Sequence, residues 1–130
     1  MEPLSRSEEQ VMAALWACGT PATRRQIAAH LPAAVHWADS TLLNFLIRLE
    51  NKGFVRTQRQ GNKNIYTPLV RRATYCGSAS AAHLQVLYGG DIRGMLAALT
   101  ETGRLTNAQL EQLLRWLDVW LADHPEYDYD

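Results

Sequence analysis

Apolar positions recur along this chain in two rhythms, and the change between them divides it. Val11, Met12, Leu15 and Trp16 share one face of a 3.6-residue period, and Ser5-Arg6-Ser7-Glu8 ahead of them has capping-box spacing. Gly19 and Pro21 stop the segment, which predicts a helix over about residues 6–18. Thr23-Arg24-Arg25-Gln26 repeats the cap, Ile27, Ala28 and Leu31 supply a stripe, and Pro32 ends a second, short helix. After an extended Val35-His36-Trp37, a third helix is predicted from about Asp39 to Asn51, with Leu42, Phe45, Leu46 and Leu49 at i, i+3, i+4 and i+7. Lys52-Gly53 closes it, with a cation near the helix dipole and a glycine free to turn left-handed.

The period then shortens. Phe54 to Arg59 and Asn64 to Thr67 are β-prone runs on either side of Gln60-Gly61-Asn62-Lys63, which has turn chemistry, so a hairpin is expected. Three helices and a basic hairpin within 70 residues read most economically as a winged helix-turn-helix. The rest is helical again. A helix is expected over about Arg71 to Tyr88, where the small residues from Cys76 to Ala82 allow either close packing or a kink. Gly89-Gly90 breaks it, and Ile92, Met95, Leu96 and Leu99 form a second stripe before Gly103. Thr106-Asn107-Ala108-Gln109 caps a last helix striped by Leu110, Leu113, Leu114, Leu117 and Leu121, with Trp116 and Trp120 beside it. His124 to Asp130 is expected to fray. The fold class is therefore mainly α: a winged helix-turn-helix domain with a small β-hairpin wing over residues 1–70, and an α-helical dimerisation domain with a short acidic tail over residues 71–130.

Composition narrows this reading. At 130 residues, 47% hydrophobic and 20% charged, the chain has material for a core and no room for a multidomain enzyme. No apolar run approaches the ~20 residues of a membrane span, and the N-terminus carries acids where a secretory signal carries cations, so a cytoplasmic protein without membrane insertion is expected. Cys18 and Cys76 stand too far apart for a metal knuckle and too few for a disulfide framework. The zero net charge hides a split. Residues 1–72 hold ten cations against five acids, and residues 73–130 hold three against eight. Either the charges sort by chance, or a polyanion-binding portion precedes a portion with another task.

The outer side of the third helix carries Ser40, Thr41, Asn44 and Arg48, short hydrogen-bonding groups plus a cation, the chemistry needed to reach base edges and phosphates. On an isolated helix the same face would be ordinary solvated surface. Leu43 and Ile47 flank it, placed either to meet a thymine methyl or to close the edge of the core. Thr23, Arg24 and Arg25 open the second helix, where amides and dipole favour a phosphate. Arg56, Arg59 and Lys63 surround the Gly61-Asn62 turn, as contacts for a DNA strand or as charges protecting a sheet edge. Leu84, Leu87, Ile92, Met95, Leu96, Leu99, Leu110, Leu113, Leu114 and Leu117 are the expected dimerisation residues, since short leucine-striped helices need a cover, whether a second copy or the winged domain itself. No nucleophile elbow, phosphate loop or HExxH occurs, and Cys76, His83 and His124 are spaced too loosely for a metal site, so no enzyme, cofactor or metal is expected.

Leu4-Ser5 through Glu8, Val11-Met12, Leu15-Trp16 with Gly19, a strand at Trp37, Thr41 with Leu49 and Lys52-Gly53, and Tyr66-Thr67-Pro68 together resemble the penicillinase-repressor group of winged-helix regulators, the BlaI/MecI/CopY family, over most of the chain. The resemblance implies a homodimer with interlocked C-terminal helices, bound to double-stranded DNA at a palindromic operator and blocking transcription sterically. It implies base-facing roles for Ser40, Thr41, Leu43 and Asn44, and backbone-facing roles for Arg48 and the Gly61 to Lys63 turn. It also implies a membrane sensor protease as a release partner, although Ala98-Leu99 stands where β-lactam-responsive members carry a cleaved Asn-Phe bond. The C-terminal cysteine cluster of copper-responsive members is missing too. Leu43 replaces a residue that is usually polar. The remaining alternatives are a winged-helix protein-interaction module and a metal-responsive regulator.

Overall fold

The computed structural model describes residues 2–19 and 21–127. Elements follow in the order α1 (Arg6–Ala17), β1 (Ala22–Thr23), α2 (Arg24–Ala29), α3 (Asp39–Asn51), β2 (Val55–Gln60), β3 (Lys63–Pro68), α4 (Arg72–Tyr88), α5 (Ile92–Glu101) and α6 (Asn107–Asp123). Helix, strand, two helices and a hairpin in this sequence make a winged helix-turn-helix, within a mainly helical chain. Two compact units form, Met1–Ser80 and Ala81–Asp130.

The predicted caps close as capping boxes. The Ser5 hydroxyl accepts from the Glu8 amide at 3.1 Å, and Glu8 Oε1 accepts from the Ser5 amide at 2.8 Å. Thr23 with Gln26 and Thr106 with Gln109 do the same for α2 and α6. At the end of α3, the Gly53 amide donates to Glu50 and the Phe54 amide to Leu49, with Gly53 at φ 82°. This is a Schellman stop, and it delivers Phe54 directly into the core at the start of β2.

The sheet of the first unit is antiparallel in the order β1-β3-β2. Gln60 pairs with Lys63, so the wing tip is only Gly61 and Asn62, with Gly61 at φ 64° and Asn62 at negative φ, the pattern of a type II′ turn. Val11, Met12 and Leu15 of α1, Ile27 of α2, Leu42, Leu46 and Leu49 of α3, and Phe54, Val55 and Tyr66 of the strands make one buried core. Tyr75 of α4 joins it, edge-on to Phe54 at 5.5 Å and donating to Glu9 Oε2 at 2.7 Å. Burial, reinforced by Glu9, pushes the Tyr75 phenol up to about 12. Trp16 Nε1 donates to the Val70 carbonyl at 3.0 Å.

Several expectations need correction. Val35 to Trp37 joins no ladder: the Val35 amide donates back to the Pro32 carbonyl at 2.9 Å, and the Trp37 ring lies tilted against Phe45, with ring centroids 4.9 Å apart. The strand that does pair is Ala22–Thr23, too short to show a two-residue period. Ala28 is exposed, leaving Ile27 as the buried anchor of α2. Lys52 is the C-cap of α3, as expected, and its ammonium also reaches α1. It donates to Glu8 Oε1 at 2.8 Å and to the Pro3 carbonyl at 3.1 Å. Burial would raise Glu8, but hydrogen bonds from Lys52 and from the amide and hydroxyl of Ser5, with the Lys52 charge, hold its carboxyl below the ordinary value. Cys18 is half-buried, its thiol donating to the Ala14 carbonyl at 3.3 Å and lying 3.5 Å from His30 Nδ1, and burial raises its pKa. The expected fraying beyond His124 gives way to a 3-10 turn at Pro125–Tyr127, where His124 stacks on Trp120 at 4.0 Å; residues 128–130 of that tail lie outside the described residues.

The small-residue run of α4 is helical, and Gly89 and Gly90, both at positive φ, follow the end of that helix at Tyr88. Among the described residues of the second unit none is buried. Leu84, Met95, Leu96, Leu99, Leu110 and Leu113 are half-buried, whereas Leu87, Ile92, Leu114 and Leu117 are exposed. Among the described residues no helix is long and apolar enough to cross a membrane.

Candidate nucleic-acid interface

Three elements of the first unit converge on one open cleft of about 270 Å³. The start of α2 contributes Thr23, Arg24 and Arg25, the middle of α3 contributes Leu43, and the wing contributes Asn62, Lys63, Asn64 and Tyr66. Six of the expected DNA-facing residues thus meet at a single place although 40 positions separate Thr23 from Lys63. The sheet brings them together, since Thr23 is in register with Ile65, two residues from Lys63 on the same strand.

Next to this cleft, the outer side of α3 presents Ser40, Asn44 and Arg48, all exposed, and Thr41, half-buried. Their opposite face is the buried stripe of Leu42, Leu46 and Leu49, so the polar side is held outward by the core itself. The Arg48 guanidinium lies over the Phe45 ring, 5.4 Å from its centroid, an exposed cation–π contact along the helix.

The cations differ in how free they are. Arg24 Nη1 pairs with Asp39 Oδ1 at 2.9 Å, which joins the first turn of α2 to the first turn of α3. Arg59 Nε donates to the Gly61 carbonyl at 3.2 Å and braces the wing tip. Arg25, Arg56 and Lys63 are exposed. The spacing of residues reveals neither the Arg24–Asp39 pair nor the brace at Arg59, because both depend on how elements dock after folding. Asn64 and Tyr66 line the cleft and were not anticipated; the period-two pattern of β3, which puts Asn64 and Tyr66 on one side, carries that signal.

An open, cationic and hydrogen-bonding surface suits a polyanion, with short polar groups on a helix able to probe what lies between its charges. Among the described residues no group of three or more His, Cys, Asp or Glu side chains is placed to hold a metal ion.

The sequence model described as penicillinase repressor matches residues 4–119. The chain is 30% identical over 123 residues to an uncharacterised 16.5 kDa protein in the ptsI 3′ region of Latilactobacillus sakei, covering 95% of this chain and 84% of that one. It is 24% identical over 115 residues to a penicillinase repressor of Bacillus licheniformis, covering 88% and 89%. Among solved structures it is similar to monomeric Bacillus licheniformis BlaI in complex with the blaP half-operator, with TM-score 0.48, 24% identity and coverage of 57% and 89%. It is also similar to the CopR repressor, with TM-score 0.45, 30% identity and coverage of 54% and 100%.

Proposed function

Because the chain belongs to the penicillinase repressor family, whose members are DNA-binding transcriptional repressors and not enzymes, we propose that it binds a palindromic operator as a homodimer and blocks transcription sterically. The convergence of Thr23, Arg24, Arg25, Leu43, Asn62 and Lys63 on one cleft beside the polar side of α3 is the observation that carries this reading. In it, Arg25, Lys63 and the α2 start hold phosphates and set register, while Ser40, Thr41, Leu43 and Asn44 meet base edges in the major groove. Arg48, Arg59, Gly61 and Asn62 serve the backbone. A cytoplasmic location follows from DNA as the partner.

The homodimer is supported by the second unit, where Leu87, Ile92 and Leu114 are 69%, 51% and 63% exposed and no described residue is buried. A single chain leaves this apolar surface wet, and a second copy covers it. A membrane sensor protease, the release partner implied by the resemblance, would have to open α5 first, since Ala98 and Leu99 are half-buried within it.

Titration of DNA from upstream of the protein's own gene tests the reading. A dimer that neutralises roughly six to ten phosphates loses about 10³ to 10⁵ in affinity between ~50 and ~200 mM salt. Salt-indifferent or undetectable binding would replace the repressor with a protein-interaction module.

A further inference from the structure

Resting on the DNA-binding reading, we propose that Leu43 and Ile47 form an apolar strip on α3 that recognises the 5-methyl groups of thymines in the operator. Ile47 is 54% exposed, while Leu42, Leu46 and Leu49 of the same helix are no more than 3% exposed. Ile47 is neither in that buried core nor among the partly buried side chains packed against it, so about half of an isoleucine is left open to solvent. Leu43 lies one turn earlier at i−4, so the two neighbour each other along the helix, on the side of Asn44 away from Arg48 and Phe45.

The surroundings identify the occupant. Leu43 lines the same cleft as Arg24 and Arg25 of α2 and Lys63 of the wing. Cations and hydrocarbon brought together in one opening match a polyanion whose own apolar groups are set back from its charges. The major groove of duplex DNA is such a surface, with phosphates along both borders and the thymine methyl on its floor. An A-form RNA duplex offers a groove too narrow to admit the helix and bears no such methyl. Asn44, beside the strip, is placed to read the hydrogen-bonding edge of an adjacent base.

Duplexes selected from a random library by the full-length chain provide the probe. Each thymine of the selected site is replaced in turn by deoxyuridine, which removes only the methyl, and affinities are measured for the wild type, Leu43→Ala, Ile47→Ala and Asn44→Ala. At one or two thymines per half-site the wild type binds the uracil duplex about four-fold more weakly for each methyl removed. The matching alanine variant shows no such penalty, and Asn44→Ala retains it. Specific binding with no uracil penalty at any position, or a penalty that persists undiminished in both Leu43→Ala and Ile47→Ala, overturns thymine recognition and leaves the DNA-binding reading standing. Failure to select any duplex above the random background overturns both.

Discussion

Lys52 Nζ stands 2.8 Å from Glu8 Oε1, and this contact fastens the C-terminal cap of α3 to the first turn of α1. Glu8 is almost wholly buried, and its Oε1 already accepts from the Ser5 amide, so one carboxylate closes a helix cap and holds a second helix in place. Removing the cation strands a buried charge. Lys52→Met is therefore expected to cost about 3 kcal/mol in urea unfolding, and the Glu8→Leu/Lys52→Met pair to recover most of it. Additive losses in the double variant would show that the pair does not act as a unit.

Acid weakens the same contact. Glu8 titrates below its ordinary value of 4.5 in the folded chain and at that value in the unfolded one, so unfolding takes up a proton. Its stabilising contribution is complete above pH 4.5 and disappears as pH falls through the folded value. Urea midpoints are expected to drop on acidification below about pH 4.5, and to drop less for Glu8→Gln. Parallel acid limbs for the two proteins would assign the loss to other carboxylates.

Base readers and phosphate anchors respond differently to truncation. Asn44→Ala is expected to cost about 1 to 3 kcal/mol on the selected operator and to relax preference at one base position. Lys63→Ala weakens binding by a similar factor on operator and random DNA and lowers the salt slope by about one. Equal losses for Asn44→Ala on both kinds of DNA would remove it from base reading.

Asp39 holds Arg24 at 2.9 Å on the face proposed to meet DNA. Asp39→Asn removes an anion and frees a cation there, so affinity for any duplex is expected to rise several-fold at low salt, with the gain fading as salt is added. The cost is the favourable acid at the start of α3, about 0.3 to 1 kcal/mol of stability. Unchanged affinity in filter binding would mean that Arg24 stays clear of the DNA.

Leu114 and Leu117 lie on the wet side of α6, at 63% and 38% exposure. Leu117→Asp is expected to shift the protein from dimer to monomer in sedimentation equilibrium and to weaken operator binding far more than binding to a half-site. A wild-type chain that sediments as a monomer at every concentration would end the homodimer proposal.

How far the fold could be read in advance depended on whether each feature is local. Ser5 with Glu8 and Thr106 with Gln109 announce helix starts because the partners are three residues apart, and the stripe of Leu42, Leu46 and Leu49 announces which side of α3 turns inward. Gly61-Asn62 announces the wing for the same reason. The pairs that lock these pieces together, Glu8 with Lys52 and Arg24 with Asp39, join residues 44 and 15 positions apart, and no periodicity encodes them. Trp37 has the composition of a strand but finds its best cover on Phe45, and Ala22–Thr23 becomes a strand only because β3 lies alongside. The residues expected to face DNA could be named one by one; that six of them share a cleft depends on the sheet.

The short strand β1 turns that sheet into a gauge. Thr23 caps α2 and is simultaneously paired through its backbone to the strand that begins at Lys63, so strand pairing, with no loop intervening, sets the span between these two residues of the cleft. Any ligand that reaches both must therefore fit a separation written into the backbone and independent of side-chain rotamers.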